Sequence, residues 1–389
     1  MVRIIVVGGS AAGMAAAAKA KRSGSDVNVV VLEKGRYVSY ASCGIPYYIS
    51  GFISDFNKLL YYPLEYFRRK RGIDVRVRCE AVKIDRSAKT ITAVDLDSGR
   101  EIEFEYDKLI LATGASALKP SIDGVDLDGI YTVRDLEDML KLIEGIRKAS
   151  RIAIVGLSYT GLEIAEALIR IGKRVLAFTR SDHVIHDMDP DFTEILKRYI
   201  SSYGVELHIN EPVEEFEGSD RVSKVITSKS TYDVDAVVLS VGVKPNVELA
   251  KNAGLEIGVT GGIKVDEYLR TSDRDIYSVG DNTESIHIVT RKPYYSPTAP
   301  IANKMGRIAG ENAVKGDVKI FPGVLGSSIV KFFDLEIGRV GLSYEEALRY
   351  GFNATYVDIK HHTRSHYYPG CREIWVRSVS YTHLTLPTN

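Results

Sequence analysis

Three short stretches of this 389-residue chain carry residue types and spacings that could do chemistry. Two are glycine turns. Gly8-Gly9-Ser10-Ala11-Ala12-Gly13 follows the apolar run Val2-Arg3-Ile4-Ile5-Val6-Val7 and leads into an alanine-rich stretch. Gly156-Leu157-Ser158-Tyr159-Thr160-Gly161 follows Arg151-Ile152-Ala153-Ile154-Val155 in the same way. Such a turn suits a pyrophosphate. Its first glycine permits a tight bend, its last lets a helix pack closely on the strand, and the first N–H groups of the helix are free to hold an anion. Serine (Ser10, Ser158) stands in both where a middle glycine is usual, which keeps the side chain small. The third stretch, Ser39-Tyr40-Ala41-Ser42-Cys43-Gly44-Ile45-Pro46-Tyr47, holds a cysteine among small and polar neighbours. A thiolate there would be a nucleophile toward a disulfide.

The elements around these stretches sharpen the reading. After the first turn a strand, Val27-Asn28-Val29-Val30-Val31-Leu32, ends on Glu33, twenty residues past Gly13. A carboxylate there accepts from both ribose hydroxyls. After the second turn the strand Arg174-Val175-Leu176-Ala177-Phe178 ends in Thr179-Arg180-Ser181, with no acid. A carboxylate would repel a 2′-phosphate, whereas Arg180 would pair with one, so NADPH is favoured and NADH stays possible. Two more strands end in small residues. One is Asp107-Lys108-Leu109-Ile110-Leu111-Ala112-Thr113-Gly114-Ala115; the other runs from Thr271 to Val279-Gly280-Asp281. Asp281 would hydrogen-bond the ribityl chain of a flavin. Two dinucleotide sites imply two dinucleotides, one fixed and one exchanging.

These segments, in this order, resemble the two-dinucleotide-binding-domain flavoproteins of the pyridine nucleotide–disulfide oxidoreductase group, over nearly all of residues 1–378. The resemblance implies an α/β fold with two Rossmann-like domains and a C-terminal α+β dimerisation domain. Residues 1–117 and 257–322 would bind FAD, with an NAD(P)H unit, 118–256, inserted between them. It places Gly8, Ser10, Ala11, Ala12, Gly13, Glu33, Lys34, Val82, Ala112, Thr113, Gly114, Asp281 and Ala299 around FAD. Around the nicotinamide nucleotide it places Gly156, Ser158, Tyr159, Thr160, Gly161, Thr179, Arg180 and Gly242.

In the dithiol members of the group a second cysteine lies five positions after the first, and here that position is Tyr48. One cysteine cannot cycle through an internal disulfide. Its oxidised form must be a sulfenic acid or a mixed disulfide with a small thiol. The run from Ser39 to Tyr47 is similar to coenzyme A–disulfide reductases and to related NAD(P)H oxidases and sulfur or polysulfide reductases. By that resemblance Cys43 is the catalytic sulfur, and Arg22, Ser39, Ser42, Arg71 and Asn303 contact coenzyme A. Oxidase and peroxidase relatives carry a histidine at the position of Ala11; its absence favours a CoA disulfide or polysulfide over peroxide. The late run Ser365-His366-Tyr367-Tyr368-Pro369-Gly370 resembles a motif of the dimerisation domain, whose tyrosine (Tyr367 or Tyr368 here) reaches the partner subunit's cysteine site. The expected activity is NADPH-dependent reduction of coenzyme A disulfide. The alternatives are a CoA-dependent sulfur or polysulfide reductase, a peroxide-forming oxidase, or a redox-sensing flavoprotein without turnover.

Composition excludes other classes. Lys plus Arg and Asp plus Glu are both 51, a formal net charge of zero, which gives no reason to expect nucleic acid or an anionic membrane as partner. The opening run reads as a buried strand rather than a secretory leader. Cys43, Cys79 and Cys371 are far apart and odd in number, so neither a disulfide framework nor a metal site is expected, and a reducing cytoplasm is. Residues 379–389 are set aside: Val379 to Thr388 matches one translated frame of a transposase sequencing adapter. The interface domain, from about Gly323 to Ser378, is therefore expected to be partial.

Overall fold

The computed structural model describes residues 1–381. Its first body is a parallel sheet with strand order 276–278, 108–111, 2–7, 27–32, 74–76. Val2–Val7 lies inside this sheet, and Ile4 and Val6 are fully buried, which is why its sequence is a continuous apolar run rather than an alternating one. The helix Ala11–Ser23 covers one face and packs along the helix Ala299–Lys315. Their contact is made of small residues: a Cβ on Gly306 would run into the carbonyl oxygen of Ala12, and one on Gly310 into that of Ala16. An antiparallel meander, Cys79–Asp85, Thr90–Asp95 and Glu101–Glu105, packs on the other face.

The second body repeats the plan. Its parallel sheet runs 206–208, 174–178, 151–155, 236–239, 130–132, with the helix Tyr159–Arg170 after the second glycine turn. The chain passes between the bodies twice, and the two crossings are hydrogen-bonded to each other as a ribbon, Ala115–Ala117 against Val243–Pro245. Asn246 locks this ribbon: its side-chain N–H donates to the Thr113 carbonyl (2.9 Å), while its own carbonyl accepts from the Thr113 hydroxyl (2.7 Å). Residues just past the ribbon pack with the first body, because Ala250 and Leu255 join the core of Ile84 and Ile91; the range 246–256 was expected with the second.

Beyond the second body two hairpins and a short helix follow. The hairpin Ser328–Phe332 with Leu335–Arg339 packs on the helix Tyr159–Arg170. The hairpin Ala354–His362 with Glu373–Tyr381 is tied to the second body by Arg377, whose guanidinium pairs with Asp189, Asp191 and Asp358 and lies over the Tyr356 ring at 3.9 Å. Residues 379–381, part of the stretch set aside as adapter-derived, pair with 354–356 in this hairpin; residues 382–389 of that stretch lie outside the described residues. Among the described residues no helix is long and apolar enough to cross a membrane, and no group of three His, Cys, Asp or Glu could hold a metal ion.

Candidate functional site

The two glycine turns are nearly superposable in what they demand. Gly8 (φ +107°) and Gly156 (φ +94°) adopt a backbone that side chains disfavour, and a Cβ on either would strike a carbonyl oxygen, of Ala112 or Ser240. Gly13 and Gly161 lie against the carbonyls of Gly8 and Gly156, so the helix can start close to its strand. Ser10 and Ser158 are the N-cap residues, and neither side chain caps its helix. The N–H groups of Ser10, Ala11, Ala12 and Gly13, and of Tyr159, Thr160 and Gly161, find no acceptor among the described residues. Unpaired donors at a helix N-terminus fit a pyrophosphate in both places.

Glu33 closes the first turn. Its carboxylate accepts from the N–H of Gly9 (2.5 Å) and of Gly35 (2.6 Å). Burial pushes its pKa up, against the two N–H groups that pull it down. Lys34 is exposed and pairs with Glu80 at 2.7 Å. Val82 is the extra residue of a β-bulge, where pairing jumps from Ala81↔Ala93 to Lys83↔Thr92. It is 43% exposed, so its unpaired backbone is open to a ligand edge. Ala112, Thr113 and Gly114 (φ +68°) form the turn that leads into the ribbon. Asp281 pairs with Arg134, whose guanidinium also donates to the carbonyl of Ala115 (3.1 Å). Ala299 opens the long helix, and Asn303 stands half-buried one turn further along it.

On the nucleotide side Thr179 is buried and its hydroxyl donates to the carbonyl of Ser181 (2.6 Å). Arg180 is exposed and has no ion-pair partner among the described residues. Gly242 (φ +110°) accepts from the N–H of Leu118 at the ribbon. Tyr159 is half-buried, its hydroxyl 2.6 Å from that of Ser328.

Cys43 is exposed, in a single 3-10 turn (Ser42–Gly44) that continues into the helix Ile45–Ile49. Two anchorages fix it. Ser39, in a left-handed conformation (φ +52°), donates its N–H to the carbonyl of Gly9 (2.9 Å), which ties the segment to the first glycine turn. Ile45, Ile49 and Leu59 share a core with Leu162, Ile164 and Ala165 of the second nucleotide helix. The cysteine thus sits where the two nucleotide-binding halves meet. Cys79 is buried in the meander, and Cys371 lies in the tip of the last hairpin. Arg22 and Arg71 are exposed, without ion-pair partners among the described residues. Tyr367 and Tyr368 are 76% and 57% exposed on the same hairpin tip and make no hydrogen bond or ring contact with the Cys43 segment of their own chain.

Three residues at this junction escape a sequence reading. Arg134 meets Asp281 across 147 positions, and Asn246 meets Thr113 across 133. Glu163 lies inside the apolar run of the second helix. It is half-buried, has no hydrogen-bond or ion-pair partner among the described residues, and its pKa is pushed up to about 7 by burial and by Glu166. Its charge is felt at Tyr47, whose pKa is raised by burial first and then by Glu163, Glu166 and Cys43. No local pattern marks any of the three.

Two parallel sheets with twin anion-ready turns, and a lone thiol between them, define a flavoprotein oxidoreductase working with a pyridine nucleotide. The chain belongs to the pyridine nucleotide-disulphide oxidoreductase family, which matches residues 2–306. It is 40% identical over 380 residues (97% of this chain, 84% of the other) to an NAD(P)H coenzyme A polysulfide/persulfide reductase of Pyrococcus horikoshii. It is 30% identical over 381 residues (97% and 84%) to a coenzyme A disulfide reductase of Staphylococcus haemolyticus. Among solved structures it resembles an engineered water-forming NADPH oxidase bound to NADPH, with a TM-score of 0.92, 30% identity, and 97% of this chain and 84% of that one covered. In that engineered protein a consecutive Asp-Ala-Met is replaced by Ala-Arg-Ser, among five substitutions.

Proposed function

We propose that this chain reduces a sulfur–sulfur bond of coenzyme A with NADPH, through FAD and a mixed disulfide at Cys43. The carrying observation is the placement of one exposed cysteine at the junction of the two glycine-turn halves, with Tyr48 at the position of a second. FAD, when bound, supplies two-electron transfer between the nicotinamide and the sulfur. The unpaired N–H groups after Gly9, the Glu33 carboxylate, the bulge at Val82 and Asp281 are the groups that would hold it. Tyr159, Thr160 and Gly161 offer N–H groups to NADPH, and Arg180 stands unpaired where a 2′-phosphate is read. Thr179-Arg180-Ser181 matches the Arg-Ser introduced in the engineered NADPH oxidase, which supports NADPH over NADH.

The chemistry balances at Cys43. Its thiolate attacks coenzyme A disulfide, forming Cys43–S–S–CoA and releasing one CoA thiolate. Two electrons and one proton then break that bond, returning the Cys43 thiolate and freeing the second CoA as a thiol. In a second reading the substrate is a CoA persulfide or polysulfide: the Cys43 thiolate attacks the CoA-bearing sulfur, forming Cys43–S–S–CoA and releasing hydrosulfide or a shorter polysulfide, and the same two electrons and one proton then free CoA as a thiol. The 40% identity to a polysulfide/persulfide reductase favours it, as does the exposure of Cys43. The exposed apolar residues Tyr356, Val357, Ile359 and Val376 on the last hairpin support a homodimer, and three free cysteines support a reducing compartment such as the cytoplasm.

The test is anaerobic NADPH consumption by the FAD-loaded protein with coenzyme A disulfide, and separately with polysulfide. Cys43→Ser is expected to abolish turnover of both while leaving bleaching of the flavin by NADPH intact. Turnover that survives in Cys43→Ser refutes the proposal.

A further inference from the structure

We infer that Glu211, some fifty residues past the second glycine turn, is the positioning residue of the 2′-phosphate site: it holds Thr179-Arg180-Ser181 in the shape from which Arg180 meets the phosphate. This rests on the reading of NADPH as the reductant.

Backbone bonds join the two loops on both sides of Arg180. The strand 174–178 lies parallel to 206–208, with Phe178 opposite His208. Beyond the strands the pairing continues. Thr179 donates its N–H to the His208 carbonyl (2.9 Å), Glu211 donates to the Thr179 carbonyl (2.8 Å), and Asn210 donates to that of Ser181 (3.2 Å). The Thr179 hydroxyl closes the turn on the Ser181 carbonyl at 2.6 Å. The residues before and after Arg180 are thus held by 208–211, while Arg180 itself stays exposed, with no ion-pair partner among the described residues. Gly156 donates its N–H to the Phe178 carbonyl (2.9 Å), so the same strand end also carries the pyrophosphate turn.

Glu211 is anchored from the opposite side. Its carboxylate is buried; Oε1 accepts from the hydroxyls of Thr227 and Tyr232, both at 2.7 Å, and Oε2 lies 3.4 Å from His208 Nδ1 and 3.9 Å from Lys229 Nζ. Burial pushes its pKa up, but the two hydroxyls, His208 and Lys229 outweigh that and hold it below the ordinary carboxylate range. His208 lies flat on Phe178, centroids 4.6 Å apart and planes 13° apart, with Tyr232 edge-on to both. Thr227, Lys229 and Tyr232 come from the hairpin Val222–Thr227 with Thr231–Asp233, so a third segment sets the loop.

An apolar side chain would fill this space at lower cost, since a buried carboxylate must recover its lost hydration from its donors. What the carboxylate adds is direction. With both oxygens engaged, the Glu211 backbone is kept against Thr179, and Asn210 before it stays in a left-handed turn (φ +52°) that aims its N–H at Ser181. The negative charge is spent on these donors, so it neither captures Arg180 nor repels the phosphate.

The experiment follows flavin reduction in the FAD-loaded protein, which needs no sulfur acceptor, and reads the half-saturating concentration and limiting rate for NADPH and for NADH. Calorimetry with adenosine 2′,5′-bisphosphate, the end of NADPH that carries the 2′-phosphate, reads the same site without turnover. Glu211→Ala is expected to raise half-saturation by NADPH, and to weaken the bisphosphate, about tenfold, with the limiting rate and the NADH value unchanged. Glu211→Gln, which still accepts from both hydroxyls, should restore most of this. Tyr232→Phe, which removes one donor and keeps the ring, should cost about threefold and serves if Glu211→Ala does not fold. Added to Arg180→Ala, Glu211→Ala should change nothing further. Unchanged NADPH values, equal losses for NADPH and NADH, or a Glu211→Ala effect of the same size with and without Arg180, overturn the positioning role and leave NADPH standing as reductant. Arg180→Ala that binds the bisphosphate as wild type does overturns the NADPH reading itself.

Discussion

Glu163→Gln should stabilise the protein at alkaline pH and leave it unchanged in acid. The Glu163 carboxyl titrates at about 7 in the folded chain against an ordinary 4.5, because it is buried beside Glu166 without a donor. In the unfolded chain it ionises first as pH rises. The folded state therefore loses stability between about pH 4.5 and 7, and above 7 the loss is complete. At about 1.36 kcal/mol per tenfold in proton concentration, the span from 4.5 to 7 sets an upper limit of about 3 kcal/mol. Glutamine keeps the shape and removes the ionisation. Urea midpoints of both proteins, measured from pH 4.5 to 8.5, should coincide at the acid end and diverge in favour of the variant above pH 6. Parallel curves would refute the argument, for they would mean that the carboxylate finds solvent or a partner at no cost. A group held at such expense between Tyr47 and the second nucleotide helix points to use. The rate of flavin reduction by NADPH should accordingly lose an inflection near pH 7 in the variant.

Two other expectations concern the nucleotide sites. Gly306→Ala places a methyl against the Ala12 carbonyl, forcing the two helices apart by about 1 Å; the expected cost is roughly 1–3 kcal/mol, read as a lower melting temperature and faster loss of FAD on dilution. Gly338→Ala, whose added Cβ meets nothing closer than 3.7 Å, is the control and should match wild type. Arg180→Ala should raise the KM for NADPH on the order of tenfold to a hundredfold, the worth of one or two charge-assisted hydrogen bonds, with the KM for NADH unmoved; an equal rise for both would mean that Arg180 does not read the 2′-phosphate.

The parts of this fold legible in the sequence are those whose requirement is local. Gly8 and Gly156 need a positive φ, and Gly13 and Gly161 need room for a carbonyl. The strands between parallel neighbours need apolar residues on both faces. Each demand falls on residues adjacent in the chain, so residue type alone reveals it. Cys43 was legible for a related reason, as a lone thiol in a small-residue run. What stayed hidden depends on two distant segments arriving together. Arg134 is one arginine among many until the ribbon brings it to Asp281. Val82 was named through the resemblance alone, for nothing in its own stretch of sequence shows that the partner strand skips it. Glu163 looks like the polar face of an amphipathic helix until the helix after Cys43 packs on its neighbours Leu162 and Ile164 and brings Tyr47 within reach of its charge.

The serines in the two turns show how a departure from a motif can be physically neutral. Ser10 sits at φ −88° and ψ −153°, Ser158 at φ −93° and ψ −160°. Both are extended conformations open to any residue, so the middle position of these turns makes no conformational demand for glycine. What it demands is space for a phosphate, and a Cβ bearing one hydroxyl leaves nearly as much. Neither hydroxyl is spent on capping its own helix, and that of Ser10 faces Tyr40 instead. The first and last glycines differ: there the obstacle is the protein's own backbone, and no side chain fits. Of the three glycines in such a turn, the two that answer to the fold are kept in both copies, and the one that answers only to the ligand is exchanged, in both copies, for the same small donor.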